Sequence, residues 1–392
     1  MKLEASKVRN TLLAILAAMS PALALACAGT DTPTEENRAI DAIVNQAGEA
    51  FVSNPHHVGL SIGIVQDGIE HTYGFGTTDR ATLHVPDERT LYVIGSATKS
   101  YTGILLAQAV LDGKIKLADP VQKYLASPYP NLGFAGRPVT ILDLANHTAG
   151  LPKHIRPFRD GMSVQQMLDS YGDYSEAQFL EDLKKIAITE RPGTHFRYSN
   201  IDSQLIGIIL EQQYGKSYEE LVRQFITAPN GMRDTSVAVD RALRDRIAQG
   251  YDGLGNPMPE LRFWKAIPAA GSLKSTVHDQ LSYLQWNLDA GNPAVALSHQ
   301  VTFAHTDERD DDIALYWFVK QFADGTLVIR HTGGSFGTTS YLAFYPKAGL
   351  GMVFLANDAD SSTERELVKM GEGMADQLIH PAGAKAGTGS SE

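Results

Sequence analysis

The chain has 392 residues, of which 43% are apolar and 20% charged, a composition that supports a sizeable core and excludes wholesale disorder. Lys plus Arg number 34 and Asp plus Glu 45, giving a net charge of −11 without any basic block; nucleic acid and anionic lipid are therefore poor partners. Cys27 is the only cysteine, which excludes an internal disulfide framework and sites built from several thiolates, and the 12 histidines include no HExxH spacing, so no metal or cofactor is expected.

Lys2, Lys7 and Arg9 form a basic start, and Leu12 to Met19 an apolar run. Ala24-Leu25-Ala26 then matches an A-x-A cleavage site, so residues 1–26 read as a secretory signal peptide. The run is shorter than the ~20 residues a membrane span needs, and Pro21 breaks it. Ala24 stands where a lipobox has a bulky aliphatic residue, so a periplasmic or secreted form is expected over one lipid-anchored at Cys27.

Thr32-Pro33-Thr34-Glu35 fits a helical capping box, and Ile40, Ile43, Val44, Ala47 and Phe51 recur on one helical face. Gly59 to Gln66 and Ile69 to Gly76 are strand-like, joined by the hairpin dipeptide Asp67-Gly68. His56-His57, just before, reads as surface. Ser96 to Asp112 is apolar almost all round, as a buried helix is. Helical patterns follow at Ile141 to Ala145, Ser175 to Ile186, Ser203 to Tyr214 and Tyr218 to Phe225. Asp307 to Asp312 is an acidic run that reads as a solvated loop. Ala314 to Phe322, Thr326 to His331, Thr338 to Tyr345 and Leu350 to Ala356 predict an antiparallel meander. A last helix carries Leu367, Val368, Gly371, Met374 and Leu378 on one face, and 381–392 reads as a disordered tail. The expected fold is α/β (α+β): an antiparallel sheet flanked by N- and C-terminal helices, with an inserted, mostly helical domain. The α/β part spans 31–85 and 290–380, and the helical part 86–289.

Three segments carry chemistry. In Gly95-Ser96-Ala97-Thr98-Lys99, a lysine three positions after a serine shares its helical face, so the ammonium reaches the hydroxyl. Such a neighbour activates a weak nucleophile. Tyr198-Ser199-Asn200 precedes a helix and offers a phenol for proton transfer and an amide to orient Lys99. His331-Thr332-Gly333-Gly334 ends a strand, where glycine lets a substrate backbone approach. Each alone is compatible with plain capping or a strand-to-turn transition.

Together, in this order, S-x-x-K, Y-S-N and H-T-G resemble the penicillin-recognising serine hydrolases, specifically the class C β-lactamase and DD-peptidase branch. Lys116-Leu117-Ala118-Asp119-Pro120, His147-Thr148-Ala149-Gly150-Leu151-Pro152, Pro192-Gly193 and Gly349 to Asn357 are similar to phrases of that family. The resemblance implies a β-lactamase/transpeptidase-like fold. It also implies Ser96 as acylated nucleophile, Lys99 in its activation and Tyr198 as general base and acid. Asn200 would hold Lys99 and the substrate amide. The N–H groups of Ser96 and Gly334 would form an oxyanion hole, and Thr332 and His331 would face the substrate's carboxylate end.

Class C β-lactamases usually carry lysine where this chain has His331, which favours a DD-peptidase-like enzyme. The expected activity is hydrolysis of D-amino-acid-containing peptides through an acyl-enzyme. A class C-like β-lactamase, a small-ester hydrolase and a catalytically silent muropeptide sensor are the alternatives. His331 is further expected to hold the substrate carboxylate only when protonated. Gly333-Gly334-Ser335-Phe336-Gly337 also matches the G-x-S-x-G elbow, but a strand, not a helix, is predicted after Ser335.

Overall fold

The computed structural model describes residues 35–156, 162–163, 165–166, 168–169, 174–259, 268–289, 291–304 and 310–381. The expected signal peptide, Thr32 of the capping box, positions 307–309 of the acidic run and the tail from 382 lie outside them.

Helix α1 (Glu35–Ser53) buries Ile40, Val44 and Phe51, the face its periodicity predicts. Strands β1 (Gly59–Gln66) and β2 (Ile69–Gly76) pair through a turn in which Asp67 and Gly68 take φ of 49° and 83°. Two positive φ values match the twist of a two-residue hairpin. Helix α2 (Thr98–Leu111) is buried on nearly every side. It follows a single 3-10 turn, Gly95–Ala97, so Ser96 sits just ahead of the α-helix rather than inside it.

Helix α3 (Asn200–Tyr214) starts three residues earlier than the apolar pattern suggests. The Ser199 hydroxyl caps it, accepting from the N–H groups of Ile201 and Asp202. Helix α4 (Val277–Leu288) has no counterpart among the sequence expectations. Its first turns carry Asp279 and Gln280, which hide the apolar period. Both are buried because they are partnered: Asp279 accepts from Thr235 Oγ1 at 2.7 Å, and Gln280 donates to the Tyr101 hydroxyl at 2.7 Å.

The meander comprises β3 (Asp312–Ile313), β4 (Phe318–Gln321), β5 (Leu327–Ser335), β6 (Thr338–Tyr345) and β7 (Leu350–Ala356). The strand expected from Ala314 starts only at Phe318, because Tyr316 turns the chain at φ 66°. The sheet order is β2-β1-β7-β6-β5-β4-β3, antiparallel throughout. Pairing of β1 with β7, Leu60 opposite Ala356 through Gln66 opposite Leu350, joins the two ends of the chain in one sheet. Strands β6 and β7 are buried along their whole length. Both sheet faces are therefore covered, which explains their near-continuous apolar runs. Helix α1 and the C-terminal helix α5 (Ser361–Ile379) cover one face. Helix α4 covers the other, with Val277 and Leu281 against Gly63. The α/β fold with flanking terminal helices is as the sequence predicts. No helix among the described residues is long and apolar enough to cross a membrane.

His57 overturns its surface reading: it is 6% exposed and stacks on Phe51 at 3.8 Å. Its ring nitrogens meet Asp358 Oδ1 at 3.0 Å and Glu366 Oε2 at 2.8 Å, tying the α1–β1 junction to α5. Burial lowers its pKa, but the two carboxylates outweigh burial and the net shift is upward. A raised folded-state pKa gives stability that is complete below the unfolded value of about 6.5 and lost as pH rises through the folded value. His57→Leu should therefore cost about 1–3 kcal/mol near pH 5.5 and measurably less near pH 9. Urea unfolding of both proteins at the two pH values checks this; an equal loss at both would remove the charge from the account.

Candidate active site

Ser96 is set where three segments converge. Strand β5 crosses the 3-10 turn so closely that a Cβ on Gly333 would lie 2.0 Å from the Ile94 carbonyl oxygen. Gly95 takes φ 53°, and a Cβ there would lie 2.7 Å from the Gly334 carbonyl oxygen. Only glycine allows this approach of two backbones. Strand β6 secures it from behind: the hydroxyls of Thr338 and Ser340 donate to the carbonyls of Val93 and Ile94 at 2.8 Å.

The Ser96 hydroxyl accepts a hydrogen bond from the Tyr198 phenol at 2.5 Å and lies 3.3 Å from Lys99 Nζ. Lys99 is fully buried, and its ammonium also donates to Asn200 Oδ1 at 2.8 Å and the Ala270 carbonyl at 2.5 Å. An ammonium has three donors, and here each has an acceptor. Tyr198 and Asn200 flank the capping Ser199, whose own hydroxyl donates to the Pro152 carbonyl at 2.7 Å. The cap that starts α3 thus also aims both side chains at Ser96.

Burial pushes the Lys99 pKa well below its ordinary value, Asp202 opposing and Lys153 adding to the fall. Burial pushes the Tyr198 phenol up; the Ser96 hydrogen bond opposes this, while Glu364 and Asp202 add to it. Lys99 is therefore the group drawn toward its uncharged, proton-accepting form, whereas Tyr198 is held as a donor. The resemblance gave the base role to Tyr198; the electrostatics of these side chains favour Lys99.

One buried residue behind the site escaped sequence reasoning. Asp202 is fully buried, with Oδ2 2.9 Å from His147 Nδ1, and burial pushes its carboxyl well up. His147 packs its ring against Tyr198 at 4.6 Å, in keeping with the structural role its sequence phrase implies. Asp202 lies just ahead of the helix that the sequence places from Ser203, where an acidic residue is ordinary, so no local signal marks it. Glu364, exposed in the first turn of α5, also escaped it: Thr332 Oγ1 donates to its Oε1 at 2.6 Å.

These groups line a cleft of about 520 Å³ that includes Ser96, Tyr198, Asn200, His331, Gly334 and Glu364. Gly334 is open: nothing lies within 4 Å of a Cβ added there. Ser335 ends β5 and pairs with Thr338 of β6 across a tight turn, so no helix follows it and the G-x-S-x-G elbow is absent.

His331 requires a correction. It is 1% exposed, its Nδ1 lies 2.5 Å from the Thr332 carbonyl oxygen, and Phe318 packs at 5.2 Å. Burial, aided by the Lys99 charge, pushes its pKa down to about 3. It is neutral across the working range and is not the pH-gated carboxylate anchor expected from sequence.

The fold and this constellation define a serine acyl-transfer hydrolase. The beta-lactamase family model matches residues 40–372, and the chain belongs to that family, the penicillin-recognising serine hydrolases. A beta-lactamase of Pseudomonas fluorescens is 26% identical over 358 residues, 82% of this chain and 95% of that protein. Protein flp of Staphylococcus aureus (strain MRSA252) is 27% identical over 334 residues, 82% of this chain and 63% of that protein. The structure of a Yersinia pestis beta-lactamase/D-alanine carboxypeptidase has a TM-score of 0.76 at 24% identity, covering 87% of this chain and 99% of that one. That likeness establishes the fold.

The value of kcat/KM should rise with pH as Lys99 loses its proton, below the range in which an ordinary lysine amine titrates. A peptide acid and its C-terminal amide should give parallel profiles there, because His331 does not titrate. Lys99→Met should lose about 10²–10⁴ in kcat/KM. A fall of the acid relative to the amide near pH 6.5 would restore charge to His331.

Proposed function

We propose that this protein hydrolyses the amide bond next to a D-amino acid through an acyl-enzyme on Ser96. The observation that carries the reading is the 2.5 Å contact from the Tyr198 phenol to Ser96 Oγ beside the buried Lys99 amine. In this mechanism the Ser96 oxygen attacks the carbonyl carbon and its proton passes to uncharged Lys99. The oxyanion forms beside the N–H groups of Ser96 and Gly334. As the C–N bond breaks, Tyr198 gives its proton to the leaving nitrogen, and Lys99 returns a proton to Tyr198. Water then repeats the sequence on the ester. The D-amino-acid preference draws support from the Y-S-N and H-T-G pair and from the D-alanine carboxypeptidase activity that the Yersinia pestis structure carries in its name.

A β-lactamase is the second reading, favoured by the Pseudomonas fluorescens relative. The two differ in how fast water clears the acyl-enzyme. Intact-mass analysis after mixing with a penicillin should show a +penicilloyl adduct on wild type that persists for minutes, none on Ser96→Ala, and an undiminished one on Ser335→Ala. An adduct lost within seconds with turnover would favour the β-lactamase. Labelling of Ser96→Ala, or an unlabelled Ser335→Ala, would overturn the choice of nucleophile.

Export belongs to the same reading, supported by the basic start, the apolar run and the A-x-A site before Cys27. N-terminal sequencing of protein from its host should begin at or just after Cys27. An intact Met1 would refute export, and a diacylglyceryl Cys27 would replace the soluble form with an anchored one.

A further inference from the structure

The proposed acyl-enzyme chemistry leaves open what departs when Ser96 is acylated. In the serine hydrolase reading, the end of β5 bearing His331 and Thr332 faces the leaving group. We propose that this end selects leaving groups that donate hydrogen bonds and carry no carboxylate, such as a carboxamide or an amine with a further ammonium, and that Glu364 is the specificity-determining residue.

Three observations point the same way. First, Thr332 spends its only hydroxyl proton on Glu364, at 2.6 Å, so what it has left to offer a ligand is lone pairs. Second, His331 uses Nδ1 toward the Thr332 carbonyl, at 2.5 Å, so that nitrogen carries the ring proton. Its Nε2 is then an acceptor, and it is buried without a partner among the described residues. Third, Glu364 lines the cleft and has no ion-pair partner among the described residues. Its charge reaches the reacting groups, since it helps hold the Tyr198 proton in place.

Hydroxyl oxygen, imidazole nitrogen and carboxylate all accept. A leaving group with a free carboxylate would bring more acceptors and a second negative charge to the same place. Like charges a few ångströms apart in a partly water-excluded cleft repel strongly. An N–H-rich or cationic group meets the Thr332 lone pairs and the Glu364 carboxylate instead, and the buried His331 ring puts no charge against it. The cleft's cations lie elsewhere. Lys99 is occupied with Ser96, and Lys274 donates to the carbonyls of Val237 and Ser272. Lys153 stands beside Asn200, whose N–H donates to its carbonyl, and its charge acts on Lys99 and His154. The positive side of the cleft is thus the side of Asn200, and the negative side that of Thr332.

The test uses one acyl-D-alanyl donor with three leaving groups: D-alanine, D-alaninamide and 1,2-diaminoethane. A thioester of the same acyl group, with an uncharged leaving group, serves as control. Wild type should cleave the diamine and carboxamide substrates about tenfold or more faster in kcat/KM than the free acid. Glu364→Gln should shrink the amide-to-acid ratio to about twofold, and raising salt from about 0.05 to 0.5 M should shrink it in wild type but not in the variant. Glu364 is exposed, so the variant is expected to fold. A wild-type preference for the acid, or a ratio unmoved by Glu364→Gln, overturns the inference while leaving the acyl-enzyme intact. Failure of the thioester to acylate Ser96 overturns the proposed function itself and this inference with it.

Discussion

The site depends on a lysine with no exposure to water. Burying an ammonium is costly unless every donor is matched, and Lys99 meets this with Ser96 Oγ, Asn200 Oδ1 and the Ala270 carbonyl. These acceptors come from three segments far apart in sequence. The 3-10 turn, the first residue of α3 and the short helix Pro268–Gly271 must all meet at one nitrogen. Desolvation then does chemical work: it lowers the pKa that sets how readily the amine takes a proton.

Rigid surroundings make that arrangement possible. Ser96 rests on a turn pinned between a buried helix and the middle of a seven-stranded sheet, not on an open loop. The hydroxyls of Thr338 and Ser340 fasten the carbonyls of the preceding residues to β6. Positioning to a fraction of an ångström needs such double support, because a displacement of about 1 Å costs about 10²-fold in rate. The same closeness explains why glycine stands at 95 and 333, where any side chain would strike the facing backbone.

Much of this was legible in the sequence, for local reasons. Ser96 and Lys99 sit three apart on one helical face, Tyr198 and Asn200 flank a serine that caps a helix, and Asp67-Gly68 specifies its turn. Each signal lies within a few residues. What was not legible depends on distant partners. Helix α4 was hidden because Asp279 and Gln280 look like surface residues until Thr235 and Tyr101 are brought to them. His57 looked solvated until Asp358 and Glu366 enclosed it across some 300 positions. Glu364 meets Thr332 only because α5 folds back over the sheet.

His331 shows how one such contact changes the chemistry of a motif. Lysine at that position would place a second cation near Lys99 and depress the reacting amine further, unless an anion was supplied to both. A histidine whose Nδ1 proton goes to the next carbonyl avoids this, since its pKa near 3 leaves it uncharged. Glu364 acts in the opposite sense on Tyr198, opposing the loss of the phenol proton. A neutral imidazole and an added carboxylate at one end of the strand therefore work together. Both favour a phenol that keeps its proton, so the leaving-group end of the strand bears on the protons held around Ser96.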